Sequence, residues 1–588
     1  MRRSTSLALL ATTLALATLA SGLPHGDDDM DMGGMAHEEP QPSPTAQAQA
    51  DTPMSYFAYG AHSGTIVAHA GLMVLGWCFV LPAAVMLSVA RSRYALPTQF
   101  LFLIVNAFGM LTGIIYNGQT PDLYENNAHH KIGWIASCVA GAQVVMSLIF
   151  TYAGRGDADV APSERAAFLP VSTDETASHQ RMYPSGALHE YRWSGDSGQG
   201  TEPNESGPSS PTCVPPEYDD FEKPENYVPT KPVGPRSWLR NTVADRFLAS
   251  RVPGMVSSRV LGILNVVYVI IDRIILPFGF IAIATGGVTY GGIMRGNQVF
   301  NGLAHFIKGG IFFWYGLLTL GRFLGCWSDF GWAWNVKPPA EVVGKWKAKI
   351  PTAEFVESLV IFLYGASNVF LEHLASWGGA WTAVDLEHVA ISILFFGGGL
   401  CGMLFESKRV KEWINNTVLQ FPSHLSVRGY NENNSWRVPS TQSVSLNPMP
   451  ALVILLLGSM MGSHHQDSML SSMVHQQWGN LLSGFAVARL VTYVILFLKP
   501  PTSHYPCRPP SEILASFCLM GGGLIFMMST RNIIQAMMYF EVDSMFTMTV
   551  GMGLTAFIMA CEVLAVALKA WAVRREMPPQ PTAYRFPA

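Results

Sequence analysis

The chain has 588 residues, 49% of them hydrophobic and 13% charged, with a formal net charge of −4. That balance excludes a nucleic-acid partner, which would require a strongly basic surface. Apolar runs of about 20 residues recur along it, each long enough to span a bilayer as a helix. The expected class is an all-α, polytopic transmembrane helical bundle whose first partner is the lipid bilayer.

Residues 1–22 read as a signal peptide. Arg2 and Arg3 form a basic start, Leu7 to Leu19 an apolar core, and Ala20-Ser21-Gly22 a small-residue cleavage site. The chain is therefore expected in a membrane of the secretory pathway: endoplasmic reticulum, vacuole or plasma membrane. Its N-terminus would be lumenal. Residues 23–63 form a lumenal tail with His25, His37 and the run Met30-Asp31-Met32-Gly33-Gly34-Met35. Thioethers suit Cu(I), so Met30, Met32 and Met35 are candidate copper ligands. The run resembles the extracellular tails of high-affinity copper transporters. An acidic low-complexity spacer is the plainer reading.

About eleven spans follow, at 64–90, 98–118, 130–153, 258–292, 301–323, 353–374, 383–405, 449–465, 470–498, 511–530 and 545–572. The fourth carries Pro277 and is expected to stay unbroken. With a lumenal start, the loops after odd-numbered spans should be cytosolic and basic. They carry Arg91 and Arg93, then Lys337, Lys345, Lys347 and Lys349, then Lys408, Arg409 and Lys411, then Lys499 and Arg508, and finally Arg574 and Arg575. The C-terminus is therefore expected in the cytosol. The domains would be a three-span unit at 64–153, a disordered cytosolic linker at 154–257 rich in Pro, Ser, Gly and Glu, a multi-span domain at 258–573 and a tail at 574–588. The eight cysteines fall in apolar runs or cytosolic segments, so no disulfide framework is expected.

In the first unit, His69 lies near the start of span one and His130 opens span three. Spans one and three run in the same direction, so both imidazoles sit at one depth, where they could ligate haem b from two sides. His129 and His62 are alternative ligands. His69-Ala70-Gly71-Leu72-Met73 with Arg91, and His130-Lys131-Ile132-Gly133-Trp134 with Gln143, resemble cytochrome b-561. The resemblance implies a lumenal haem on His69 and His130. That family's second haem would need histidines near Gln99–Asn106 and in the fourth span, and none is present there.

The second unit shows a belt of histidines and acids at the lumenal span ends: His305, Glu372, His373, Glu387, His388, His464, His465 and His475. Imidazole and carboxylate at one depth on adjacent helices suit a transition metal, copper, iron or zinc. A polar interface bonded to headgroups is the simpler alternative. Asp272 and Arg273 in the fourth span are expected to pair with each other or with neighbours, Arg489 and Glu562 to be buried and paired, and Glu357 to snorkel. The Gly triads at 397–399 and 521–523 point to close helix packing. The whole layout resembles the fungal YTP-like integral membrane family, which joins a cytochrome b-561-like domain to a C-terminal multi-span domain. The resemblance implies the architecture and leaves the activity open.

The expected function is redox or metal handling at the lumenal face, with a metal ion or a small redox protein as partner. Three rivals stand beside it: a haem-free metal-binding or transport protein, a zinc-dependent membrane hydrolase, and a structural or trafficking membrane protein.

Overall fold

The computed structural model describes residues 55–153, 257–296, 298–371, 379–418, 441, 444–463 and 466–576. The expected signal peptide, residues 23–54 of the tail with Met30, Met32 and Met35, and residues 154–256 of the linker lie outside them, as do Glu372, His373, His464 and His465.

Every expected span coincides with a helix among the described residues. The helices are α1 (Ser63–Val89), α2 (Ala95–Gln119), α3 (Ala128–Ala153), α4 (Ser258–Gly291), α5 (Gln298–Leu324), α6 (Ala353–Leu371), α7 (Ala383–Glu406), α8 (Lys408–Val418), α9 (Met449–Ser463), α10 (Met469–Leu498), α11 (Ser511–Met528), α12 (Arg531–Tyr539) and α13 (Ser544–Glu576). Nine of these are long and apolar enough to cross a membrane. The other two that match expected spans are α6 and α9, and α9 is a shorter apolar helix. No strand occurs among the described residues. Helices are forced by the solvent, since a bilayer core offers no partner to an exposed peptide group.

Local chemistry explains the irregular points. Pro82 has no N–H to give to the preceding turn, and α1 passes through a π-helical stretch at Leu75–Val80 just before it. Pro277 sits inside α4, which continues through it to Gly291, as the unbroken fourth span required. At the start of α7, Thr382 accepts from the Asp385 amide while Asp385 accepts from the Thr382 amide. That capping box occupies the Asp385 carboxylate. The amphipathic α8 keeps Lys408, Arg409 and Lys411 beside exposed Trp413 and Ile414, the composition of a helix lying in the membrane interface.

Helices α1 to α4 form a ring. Each packs on its neighbours in chain order, α4 closes back onto α1, and α1 and α3 stand diagonally across it. Trp77, Leu81, Phe102, Ala136, Ala140 and Ile275 fill the ring's core. The remaining helices pack in the order α6, α7, α9, α10, α11, α5. Their core centres on Trp478, Leu482, Phe485, Leu519 and Phe526. Helix α13 packs along α11 and α1, where Glu576 accepts from Ser92 Oγ and the Arg93 amide.

Glycines set the closest approaches. A side-chain carbon on Gly309 would lie 2.6 Å from the Gly523 carbonyl oxygen, so α5 and α11 touch backbone to backbone. Gly365 and Gly399 bring α6 and α7 equally close. The two Gly triads thus serve helix packing.

Candidate functional site

His69 sits in a groove of α2. Its Nδ1 lies 2.8 Å from the Gly109 carbonyl oxygen. A side-chain carbon on Gly113 would come within 2.7 Å of the same nitrogen, so only a glycine there admits the ring. A carbonyl can only accept, so Nδ1 carries the proton and Nε2 the lone pair.

The imidazole facing His69 is His129. The ring centroids are 6.2 Å apart with an interplanar angle of 77°. His129 Nδ1 lies 3.1 Å from the Ala282 carbonyl oxygen on α4, and Gly286 gives its ring room. By the same logic, Nε2 of His129 is its lone-pair nitrogen. Two imidazoles held about 2.0–2.1 Å from one ion between them have centroids about 6 Å apart. The rings enter from diagonal helices of the ring, α1 and α3. His130 is exposed, and its backbone N–H donates to Asn127 Oδ1. The structure therefore brings His69 together with His129 and places His130 outside the pair. The glycines at 109, 113 and 286 are the sequence signal that marks where the rings seat.

The loops between α2 and α3 and between α4 and α5 are tied together at this end of the ring. Arg295 donates to the Leu123 carbonyl and stacks 4.4 Å over the Tyr124 ring. Tyr124 Oη donates to the Ile293 carbonyl at 2.7 Å. Burial raises the Tyr124 phenol above its usual pKa, with Arg295 opposing, so it stays a donor.

At the other end of the ring stands a hydrogen-bond network. Asp272 accepts from Ser88 Oγ at 2.8 Å and from Gln143. Tyr268 Oη meets Ser88, Gln99 and Ser147. Four helices supply these groups, which bond to one another, while Gln99 Oε1 is buried without a partner.

A second histidine pair lies between α5 and α10. The ring centroids of His305 and His475 are 6.1 Å apart at 90°. His305 Nδ1 lies 2.8 Å from the Asn301 carbonyl and His475 Nδ1 2.8 Å from the Ser471 carbonyl. Phe526 and Trp478 stack at 4.1 Å beside them. His388 is close enough to act electrostatically on His305, and Glu387 is exposed on α7. Among the described residues, no group of three or more His, Cys, Asp or Glu side chains could hold a metal ion. The belt is thus represented by one close pair with His388 nearby.

Both pairs face the same side. His129 packs against Gly286, about a turn and a half before the end of α4, and α5 begins soon after at Gln298 with His305 two turns in.

Comparison with known proteins fits this architecture. Residues 278–570 match the YTP1-like C-terminal family model, and residues 50–153 match a domain of unknown function, DUF2427. An uncharacterized membrane protein of Schizosaccharomyces pombe is 33% identical over 519 residues, covering 87% of this chain and 94% of its own. The chain belongs to the YTP1-like family of membrane proteins. An uncharacterized membrane protein of Saccharomyces cerevisiae is 38% identical over 330 residues, 54% of this chain and 50% of its own. Protein YTP1 of the same yeast is 24% identical over 175 residues, 30% of each chain. No solved structure matches the chain. In this YTP1-like protein, the first histidine pair falls at the DUF2427 match together with α4, and the second falls wholly within the C-terminal match.

Proposed function

We propose that the chain is a one-electron carrier of a secretory-pathway membrane, holding haem b between His69 and His129. The observation that carries this is the shared geometry of the two rings. Each gives its Nδ1 proton to a backbone carbonyl, and the ring centroids lie 6.2 Å apart with the ring planes 77° to one another. Fixing Nδ1 in this way orients Nε2 and raises its basicity as a ligand. The donor chemistry fits haem b, which takes two neutral imidazoles. Bound there, haem would supply reversible one-electron chemistry.

The protein's own residues do the rest. Gly113 and Gly286 admit the rings, and the Gly109 and Ala282 carbonyls hold them in one tautomer. In the expected orientation the pair faces the lumen, and the basic loops after α5 and α7 face the cytosol. The network around Asp272 stands where a second haem would sit, which favours electron exchange at one face over a relay across the membrane.

His305 and His475 favour a second reading for the C-terminal unit, binding of a copper, iron or zinc ion. Their Nδ1 atoms are held by helix carbonyls in the same manner, and imidazole suits all three metals.

The test is a reduced-minus-oxidised absorbance spectrum of purified protein, with metal analysis on the same sample. A b-type signal lost in His69→Ala and His129→Ala, and retained in His130→Ala, supports the assignment. A signal lost in His130→Ala and kept in His129→Ala rejects the pairing. No haem after expression with haem supplied rejects the cytochrome reading. Bound metal that disappears in His475→Ala supports the second reading.

A further inference from the structure

At the end of the C-terminal unit away from His305 and His475, five charged side chains from four helices meet with almost no exposure. Arg322 of α5 and Arg489 of α10 are 1% exposed and Glu512 of α11 is fully buried. Glu354 and Glu357 of α6 are buried too. Arg322 Nη2 lies 2.8 Å from Glu354 Oε1, and its Nη1 lies 2.7 Å from Glu357 Oε1. Arg489 Nη1 lies 3.4 Å from Glu357 Oε2, and its Nε lies 2.9 Å from Glu512 Oε1. Glu357 therefore does not snorkel; it bridges two guanidiniums.

The charges do not balance. Three carboxylates face two guanidiniums, and Tyr315 and Tyr493 are the other titratable groups set against them. A guanidinium stays charged in proteins. One surplus negative charge buried in a membrane domain is relieved when a carboxylate takes up a proton. A metal cation is a poor alternative, because two guanidiniums would repel it and Glu512 Oε1 already accepts from Thr492 Oγ1 at 2.6 Å.

Unpartnered buried atoms mark the same place. Glu512 Oε2 and Arg489 Nη2 have no hydrogen-bond partner, and the Tyr315 and Tyr493 hydroxyls stand against Glu357 and Arg489. They are donors and acceptors of the kind that a carboxylic acid or an internal water would satisfy. Trp334 closes the site from the loop side. Its ring lies 3.9 Å from Arg322 Cζ and 4.9 Å from Arg489 Cζ. The Trp334 loop is tied to the α10–α11 loop, where the Val336 amide donates to the Ser503 carbonyl and the Cys507 amide to the Ala333 carbonyl.

We propose that this cluster is a proton-binding centre. It holds one proton among Glu354, Glu357 and Glu512 and exchanges it with the aqueous phase beside the Trp334 loop. The proton comes from water and returns to water, so no redox partner is needed. The site is independent of the haem assignment.

Infrared spectroscopy of the purified full-length protein tests it, because protonated and ionised carboxyls absorb in separate regions. Asp272→Asn and Glu562→Gln locate the bands of the other buried acids. Glu512→Gln leaves two carboxylates against two guanidiniums. It should remove one protonated-carboxyl equivalent near neutral pH, with the wild-type band shifting in D2O. Loss of one ionised-carboxylate equivalent instead would overturn the proposal. Should Glu512→Gln fail to fold, Glu354→Gln gives the same balance and carries the same two outcomes.

Discussion

Gly309 and Gly523 meet backbone to backbone in the C-terminal unit. A side-chain carbon on Gly523 would lie 2.5 Å from the Gly309 carbonyl oxygen and 2.6 Å from the Phe313 amide nitrogen. This contact fixes the depth of α5 against α11. It sets His305, one turn earlier on α5, against Phe526, one turn later on α11, with ring centroids 5.5 Å apart. Neither neighbour is a flexible side-chain end, so neither can yield easily. Gly523→Ala should therefore destabilise the protein by about 1–3 kcal/mol, the usual cost of overpacking. Gly553→Ala, where nothing lies within 4 Å, should be close to neutral. Thermal unfolding in detergent distinguishes the two.

The same reasoning reaches the first histidine pair. An alanine methyl at position 113 would sit 2.7 Å from His69 Nδ1, and one at 286 would sit 3.0 Å from His129 Cε1. Each would turn a ring and loosen its bond to a carbonyl. Gly113→Ala and Gly286→Ala should weaken haem retention by about 10–100-fold, the range seen when a hydrogen bond that orients a ligand is lost. Gly118→Ala on the same α2 meets nothing within 4 Å and should retain haem. Titration of the apoprotein with haem, read by absorbance, measures the difference.

Hydropathy carried most of the fold, because a bilayer demands helices of fixed length and penalises every unpaired peptide group. The Gly triads were legible for a related reason, since a run of three glycines inside an apolar helix invites close approach. Side-chain partners were harder to read. Whether His129 or His130 turns inward depends on helix phase, and adjacent residues point about 100° apart. Only the position of α4, with Ala282 and Gly286, decides it. Arg322, Glu354, Glu357 and Glu512 lie near span ends, where a charge commonly reaches water, and only Arg489, well inside its span, reads as buried and paired. Their meeting depends on four helices converging, which no local pattern reports.

Orientation can be tested through Cys507 and Cys326, which lie in the loops on the side of the charge cluster. Cys507 is exposed and Cys326 half-buried. If these loops are cytosolic, a membrane-impermeant maleimide added outside sealed microsomes should modify the Cys507 peptide without detergent. Modification only after detergent would reverse the orientation. Cys326 should react more slowly. Burial raises its thiol pKa, Lys569 opposes, and Glu562 adds to the rise. The thiolate is the nucleophile. At a given pH a smaller fraction of Cys326 is thiolate, so its rate profile should lie at higher pH than that of a free cysteine peptide.

Arg322 joins α5 to α6 through two carboxylates at once, and its Nε donates to the Trp332 carbonyl at 2.7 Å. Arg322→Gln leaves Glu354 without its cation and weakens the hold on Glu357. Breaking a buried ion pair by removing one partner costs about 3–5 kcal/mol. Lysine keeps the charge but offers one compact ammonium in place of a planar fork. It cannot reach both carboxylates and the carbonyl together, and it loses the stacking on Trp334 seen at 3.9 Å. Arg322→Lys should therefore fall between wild type and Arg322→Gln in thermal stability, and well short of full rescue. If lysine restored wild-type stability, charge alone would account for the site and the forked geometry would be incidental. The double variant Arg322→Gln/Glu354→Gln separates these effects further. It removes one charge of each sign, so it should recover part of the loss if the cost of Arg322→Gln comes mainly from stranding a buried carboxylate.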